Sequence, residues 1–148
     1  MGVVEKLREM GVEVPPGPTQ RGKLCPAVRT GNLVYTSGAT SQVRGKVGRD
    51  VTVERAYQAS REAILGCLGS VQWLIGDLNK VTRVVKLLGM VNAADGFTDT
   101  PAVIHGATDF LLEAFGDDAG WHTRSAIGVY QLPGNAAVEI ELIVEVRD

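Results

Sequence analysis

Apolar residues at helical spacing form the two longest patterns along the chain. The first runs from about Val53 to Ile75, and Thr52 is a plausible N-cap for it. The second runs from Pro101 to Phe115, with proline at a favoured first helical position and Thr100 before it as the cap. A shorter pattern over residues 2–10 predicts a third, N-terminal helix.

Four other segments have the composition or the alternation of strands. Residues 27–39 predict a strand, a turn and a second strand, and residues 81–92 leave neither face polar, which is typical of a strand covered on both faces. Residues 124–132 and 137–146 predict two final strands, the last of them nearly strictly alternating. The Pro133-Gly134-Asn135 loop between these two strands predicts a hairpin.

The order of elements indicates an α+β fold, β-β-α-β-α-β-β, with two helices packed on one face of a mixed sheet. We expect residues 1–148 to form one domain, in which residues 1–20 are an N-terminal helix and extension. The other face of the sheet then stays uncovered. We expect it to carry Ile143, Ala126 and Gly128 among charged residues, and a homo-oligomer is the simplest way to bury it.

Charge and cysteine content narrow the classes of partner. The 15 basic residues are scattered among 17 acidic ones, giving a net charge of −2, so nucleic acid is an unlikely main partner. No apolar run approaches the roughly 18 residues of a membrane span, and because the first ten residues are charged we expect no signal peptide there. Cys25 and Cys67 fit neither a disulfide framework nor a zinc site, and we expect a cytoplasmic protein.

Two separated motifs resemble the Rid (YjgF-like) family. The run from Arg124 to Val129, followed by Leu132-Pro133 and by the Val-Glu-Ile-Glu of residues 138–141, resembles the C-terminal signature of that family. The segment from Gly31 to Gly38 resembles its Gly-Asn-Leu segment. The resemblance covers roughly residues 20–147, and two motifs in the right order make it specific.

The resemblance implies a chorismate-mutase-like fold that assembles as a homotrimer with three clefts between neighbouring subunits. It implies hydrolysis of small enamine or imine metabolites, such as 2-imino acids, to 2-keto acids and ammonia. It implies no cofactor and no metal, and a small carboxylate-bearing molecule as substrate. Two alternatives remain: a non-enzymatic trimer that binds small carboxylates, and a ribonuclease, against which the acidic balance and the lack of paired histidines argue.

Four residues match functional positions of the family. Arg124 matches its carboxylate-binding arginine, and arginine offers a carboxylate a planar, permanently charged fork. Glu139 matches the catalytic carboxylate that accepts a proton from water. Ser37 and Gly38 match the pair that lines the cleft, where glycine allows a close approach to the ligand.

Three further positions depart from the family pattern. Leu24 stands where the family has a cleft tyrosine, and Ala126 stands where it commonly has a cysteine. His105 falls near the family asparagine of the second helix. These changes predict a divergent branch with a different substrate.

Each candidate also has an ordinary structural interpretation. Arg124 could form a surface salt bridge with Glu145 across the predicted hairpin, and Glu139 could belong to a solvated strand face. His105 could simply be a helix residue, whereas His122 could line the cleft.

The predicted hairpin separates the two main candidates. It puts Glu139 opposite about Tyr130 and Arg124 opposite about Glu145, an offset of about six residues or roughly 20 Å at the strand rise. One small ligand cannot span that distance. We therefore expect each cleft to combine Arg124 of one chain with Glu139 of the next.

Overall fold

The structure, a computed structural model, describes residues 1–17 and 22–148. The helices are α1 (Val3–Glu9), α2 (Val53–Ile75) and α3 (Thr100–Phe115), with short 3-10 turns at Leu78–Lys80 and Pro133–Asn135. The strands are β1 (Ala27–Thr30), β2 (Leu33–Thr36), β3 (Ala39–Thr40), β4 (Val81–Asn92), β5 (Thr123–Val129) and β6 (Val138–Val146). Residues 18–20 of the predicted N-terminal extension lie outside the described residues.

The longest helix has the boundaries that the sequence predicts. Thr52 caps α2, because its hydroxyl oxygen accepts a hydrogen bond from the backbone N–H of Arg55 at 3.2 Å. Gly76 ends it with a φ of 84°, in the left-handed region that favours glycine. The predicted N-terminal helix is also present as α1, which buries Val3 and Leu7.

The start of α3 differs from the prediction. Thr100 is the first residue of the helix and not its cap, and Asp99 takes the cap position without a side-chain hydrogen bond. The Thr100 side chain is buried, and its hydroxyl donates to the carbonyl of Ala126 at 3.0 Å. A partner on β5 therefore replaces the local capping bond.

The strands form one mixed sheet in the order β1-β2-β6-β4-β5, and β3 pairs with the start of β6. The predicted hairpin near residue 31 is confirmed, since β1 and β2 are antiparallel neighbours. The pairs β2–β6 and β6–β4 are antiparallel, whereas β4 and β5 are parallel. The two edges of the sheet are thus β1 and β5.

The predicted hairpin between the last two strands is wrong, because β4 lies between β5 and β6. The chain crosses the end of β4, where the buried Asn92 side chain holds it in place. The Asn92 amide group donates to Asn135 Oδ1 and to the Ala136 carbonyl, each at 3.1 Å. Asn92 Oδ1 in turn accepts from Lys46 Nζ at 2.9 Å. The connection is therefore a crossover and not a tight turn.

Both long helices pack on the same face of the sheet, as predicted, and their own contact is close. A Cβ atom on Gly106 of α3 would lie 2.1 Å from the carbonyl oxygen of Tyr57 on α2. The buried Ser60 hydroxyl donates to the Val103 carbonyl at 2.7 Å and accepts from the Ala107 N–H at 3.0 Å. Only glycine at position 106 permits this spacing.

The second face of the sheet is not covered within the chain. In register across β6, β4 and β5 it carries Glu139, Met90 and Ile127, and Ile127 is 44% exposed. Ala126 and Gly128 are not on it, contrary to expectation: they align with Gly89 and Val91 on the helix face. The expectation rested on pairing β5 with β6 in a hairpin. Because β5 pairs with β4 instead, Ala126 and Gly128 lie on the face that packs against the helices. Within one chain β4 is therefore covered on one face only, and not on both faces as predicted. The expected alternation of β6 is confirmed.

Two further observations concern membrane-spanning helices and the buried cysteine. Within residues 1–17 and 22–148, no helix combines the length and the apolar character needed to cross a membrane. Cys67 is fully buried, and burial raises the pKa of its thiol to about 12.

Replacing Gly106 by alanine should destabilise the fold by about 1–3 kcal/mol, because the added methyl group forces α2 and α3 apart. Denaturant unfolding of the purified protein measures this. Glu113→Ala on the same helix removes only a surface ion pair with Arg61 at 3.3 Å and should change stability by less than about 0.5 kcal/mol. Equal effects of the two substitutions would contradict the close helix contact.

Candidate functional site

Arg124 lies at the edge strand β5 and lines a groove of about 450 Å³ against α3. Its Nη1 donates to the Thr108 hydroxyl at 3.0 Å. No carboxylate oxygen of residues 1–17 or 22–148 lies within 4.0 Å of its guanidinium. The salt bridge to Glu145 is wrong, since Glu145 lies on β6 and accepts from the Thr82 hydroxyl at 2.6 Å. Arg124 is thus a partly buried charge with unused donors.

A directed chain of hydrogen bonds fixes the guanidinium. His122 Nδ1 lies 2.6 Å from the Gly120 carbonyl, which can only accept, so Nδ1 carries the proton of the neutral ring. His122 Nε2 then accepts from the Thr108 hydroxyl at 3.1 Å, and the Thr108 oxygen accepts from Arg124. Partial burial lowers the pKa of Arg124, while the charge of Asp109 acts in the opposite direction. Arginine still stays charged at physiological pH.

The helix side of the groove consists of residues that share one face of α3. These are His105, Thr108, Asp109 and Leu112. Sequence reasoning found His105 and missed the other three, although positions three, four and seven residues further on lie on the same helix face. His122 also lines the groove, and Trp121, which we had not assigned to the site, is 58% exposed beside it.

Glu139 is at the start of β6, on the uncovered face of the sheet, and Gly38 lies directly against it. A Cβ atom on Gly38 would be 2.2 Å from Glu139 Oε2, so a larger residue at position 38 would displace the Glu139 carboxylate from this position. Partial burial, and then the charge of Glu141, raise the pKa of Glu139 above its ordinary value. A carboxylate with a raised pKa is better suited to accept a proton near neutral pH.

Leu24 and Ser37 lie near the opposite edge of the sheet from Arg124. Both line a groove of about 390 Å³ beside β1 and β2. The Ser37 hydroxyl donates to the Cys25 carbonyl, and its N–H donates to the Pro26 carbonyl at 2.9 Å. Leu24 is 53% exposed at the rim of this groove, where another molecule can contact it.

The predicted site residues therefore form two groups on different sides of the chain. Arg124, Ala126 and His105 lie on the α3–β5 side, whereas Leu24, Ser37, Gly38 and Glu139 lie on the side of β1, β2 and β6. Arg124 aligns with Leu87 of β4 and Glu139 with Met90, three residues further on, so their side chains point to opposite faces.

The predicted offset of about six residues is wrong, because it rested on the hairpin. The observed register gives three residues along the strands and two strand spacings across them, about 14 Å between Cα atoms. The two side chains also lie on opposite faces of the sheet, and this separates Arg124 from Glu139 more strictly than the distance does. No small molecule can touch both within one chain.

None of the described residues, 1–17 and 22–148, form a group of three or more His, Cys, Asp or Glu side chains that could hold a metal ion. The chemistry available in the grooves is that of an arginine fork, carboxylates, a histidine and hydroxyl groups.

The sequence of the chain matches a known family over nearly its whole length. The family described as "YjgF/chorismate mutase-like, putative endoribonuclease" matches residues 5–146. This chain belongs to the YjgF family. The solved structure of the Atu1372 protein of Agrobacterium tumefaciens has 36% sequence identity and a TM-score of 0.89, covering 98% of this chain and 92% of that one. The YjgF-like fold expected from the motifs is thus confirmed.

Two curated proteins are similar to the chain. Protein TCP17 of Trypanosoma cruzi is 34% identical over 152 residues, covering 99% of this chain and 95% of that protein. A 2-iminobutanoate/2-iminopropanoate deaminase of Dermatophagoides farinae is 31% identical over 143 residues, covering 92% of this chain and 95% of its own length. Members similar to this chain thus include a named imine deaminase.

Acid should destabilise the protein partly through His122. Burial and the Arg124 charge lower the pKa of His122, so the unfolded chain takes up this proton at a higher pH than the folded one. The stability contributed by the neutral ring is present above the ordinary pKa of about 6.5 and is lost as the pH falls below it. The slope of melting temperature against pH should therefore be smaller in His122→Gln. His105→Gln, at an exposed position, is the control, and equal slopes in all three proteins would contradict the assignment.

Proposed function

We propose that this YjgF-family chain is a cofactor-free hydrolase that deaminates small enamine or imine metabolites of the 2-imino acid type. The single observation that carries the proposal is the Arg124 guanidinium, which is held by Thr108 and has no carboxylate partner among the described residues. The named deaminase among the relatives supports the reaction. The cytoplasmic location expected from the sequence belongs to this proposal as well.

Arg124 binds the carboxylate of the substrate in this proposal. One of its five N–H donors is used by Thr108, and the others can form a two-point contact with a carboxylate. Because the hydrogen bond to Thr108 already orients the guanidinium, the Arg124 side chain loses less conformational entropy when a ligand binds. The groove volume of about 450 Å³ lies within the range of about 300–1,000 Å³ for small-molecule sites.

Glu139 activates the water. It accepts a proton as the water oxygen bonds to the imine carbon. It then returns that proton to the nitrogen of the tetrahedral intermediate, so the C–N bond breaks, ammonia leaves, and the hydroxyl carbon becomes the carbonyl of a 2-keto acid. The raised pKa of Glu139 brings its proton affinity closer to that needed at neutral pH. Because Gly38 has no side chain, it leaves room for the Glu139 carboxylate on that side.

The complete site lies between subunits of a homotrimer. Arg124 lines a groove on the edge strand β5, whereas Glu139 lies on the central strand β6 and on the uncovered face of the sheet, so neither group is complete in the single chain. Head-to-tail contacts around a closed ring bring unlike surfaces of neighbouring chains together, and the uncovered sheet face with Met90 and Ile127 provides apolar area for burial. Each cleft then takes Arg124 from one chain and Glu139 from the next.

The residues at two positions favour a second function, the binding of small carboxylates by a trimer without catalysis. Leu24 and Ala126 stand where the resemblance leads us to expect a tyrosine and a cysteine, and neither can transfer a proton. Ammonia release from freshly generated 2-aminoacrylate, measured against its spontaneous hydrolysis, separates the two functions. Binding of 2-keto acids without faster ammonia release would favour the binding protein.

Arg124→Ala should abolish the response to small carboxylates and leave the fold intact. Loss of a charge-assisted bidentate contact costs roughly 2–5 kcal/mol where the cleft excludes water. Isothermal titration with pyruvate and 2-ketobutyrate measures the loss. Arg83→Ala, which removes an exposed arginine paired with Asp118 at 3.6 Å, is the matched control. An unchanged binding curve for Arg124→Ala would leave Arg124 as a structural residue.

Mixed trimers test the shared cleft. Arg124→Ala and Glu139→Ala should each be inactive alone. When the two are dissociated, mixed in equal amounts and reassembled, about one cleft in four combines an intact Arg124 with an intact Glu139 from the next chain. Activity should therefore return to about a quarter of the wild-type value. If the mixture stays inactive although subunit exchange is demonstrated by mass spectrometry, the shared cleft is wrong.

A further inference from the structure

The groove beside Arg124 contains a second charged side chain of opposite sign. Asp109 follows Thr108 on α3, is exposed, and lines the same groove. The two charges influence each other, yet they do not form an ion pair within 4.0 Å. An arginine and an aspartate that share a groove without pairing are complementary to a ligand that carries both charges itself.

Separate partners hold the two charges apart. Arg124 donates to the Thr108 hydroxyl, whereas the Tyr57 hydroxyl donates to Asp109 Oδ2 at 2.5 Å from the other helix. This bond raises the pKa of Tyr57, which keeps its proton and stays a donor. Within residues 1–17 and 22–148, the second oxygen of Asp109, Oδ1, has no hydrogen-bond partner.

We propose that Asp109 is the anionic partner for the nitrogen end of an amino-acid-like ligand whose carboxylate is bound by Arg124. A protonated imine and an ammonium group both carry a positive charge next to a carboxylate, so both present the two charges that the groove complements. The apolar part of the ligand lies against Leu112 and the exposed Trp121, the two apolar side chains of the groove. This inference rests on the proposed role of Arg124 and adds the residue that distinguishes imino or amino acids from plain carboxylates.

Two ligands that differ only in the nitrogen test the inference. Phenylalanine and 3-phenylpropanoate share a carboxylate and an aromatic side group, and only phenylalanine carries the ammonium. We expect the wild-type protein to prefer phenylalanine by about two- to fivefold, the size of an exposed charge pair. Isothermal titration of the assembled protein at constant ionic strength measures both dissociation constants.

Asp109→Asn should remove that preference by weakening phenylalanine binding and leaving 3-phenylpropanoate binding unchanged. Asp117→Asn makes the same charge change just beyond the end of α3, outside the groove, and should keep the preference. Tyr57→Phe removes the partner of Asp109 without changing the charge, and it should reduce the preference by a smaller factor.

The outcomes separate this inference from the proposed function. If both ligands bind and both depend on Arg124, but Asp109→Asn leaves their ratio unchanged, the role of Asp109 is overturned and the carboxylate site stands. A wild-type protein that binds both ligands equally also overturns it. If Arg124→Ala binds both as the wild type does, both proposals fail. If neither ligand binds the wild type, the role of Asp109 is overturned, and the titration with pyruvate and 2-ketobutyrate decides the carboxylate site separately.

Discussion

The position of β4 between β5 and β6 is the constraint on which the rest of the structure depends. It requires the chain after β5 to cross the end of β4, and the buried side chain of Asn92 makes that crossover stable. A buried amide that loses its partners costs about 1–3 kcal/mol, so the bonds to Asn135 and Ala136 favour this path over a tight hairpin. The crossover then fixes which residues of β5 and β6 share a face.

The separation of Arg124 from Glu139 follows directly from that register. The two residues align with positions of β4 that are three residues apart, and an odd spacing places them on opposite faces. If β6 were shifted by one residue relative to β4, Arg124 and Glu139 would lie on the same face. The same shift would turn the apolar residues of β6 away from the helices. The packing of the core and the division of the site therefore have the same cause, and a site that is incomplete in one chain makes assembly part of the proposed chemistry.

The groove on the α3–β5 side keeps its charges available. Neutral hydroxyl groups of Thr108 and Tyr57 hold Arg124 and Asp109, so neither charge is neutralised by a neighbour. Charges fixed in this way need little rearrangement when a ligand of opposite charge arrives. The neutral His122 ring completes the arrangement, because its unprotonated nitrogen orients the Thr108 hydroxyl towards it and leaves the Thr108 oxygen for Arg124.

The sequence by itself determined the elements and the fold family. The boundaries of α2 and β4, the alternation of β6 and the motifs around Arg124 and Gly31 are local patterns, and local patterns are what periodicity, capping and signature residues report. It also identified Arg124 and Glu139 as the residues to follow.

Only the tertiary structure decided which strands are neighbours and which side chains meet. A loop of Pro133, Gly134 and Asn135 fits both a hairpin and a crossover, and the choice depends on Asn92 and Lys46, more than 40 residues earlier in the chain. For the same reason Thr108, Asp109 and Tyr57 were missed. Helical spacing places Thr108 and Asp109 on the same face as His105, but their roles come from contacts between α2, α3 and β5, and spacing within one helix does not report those contacts.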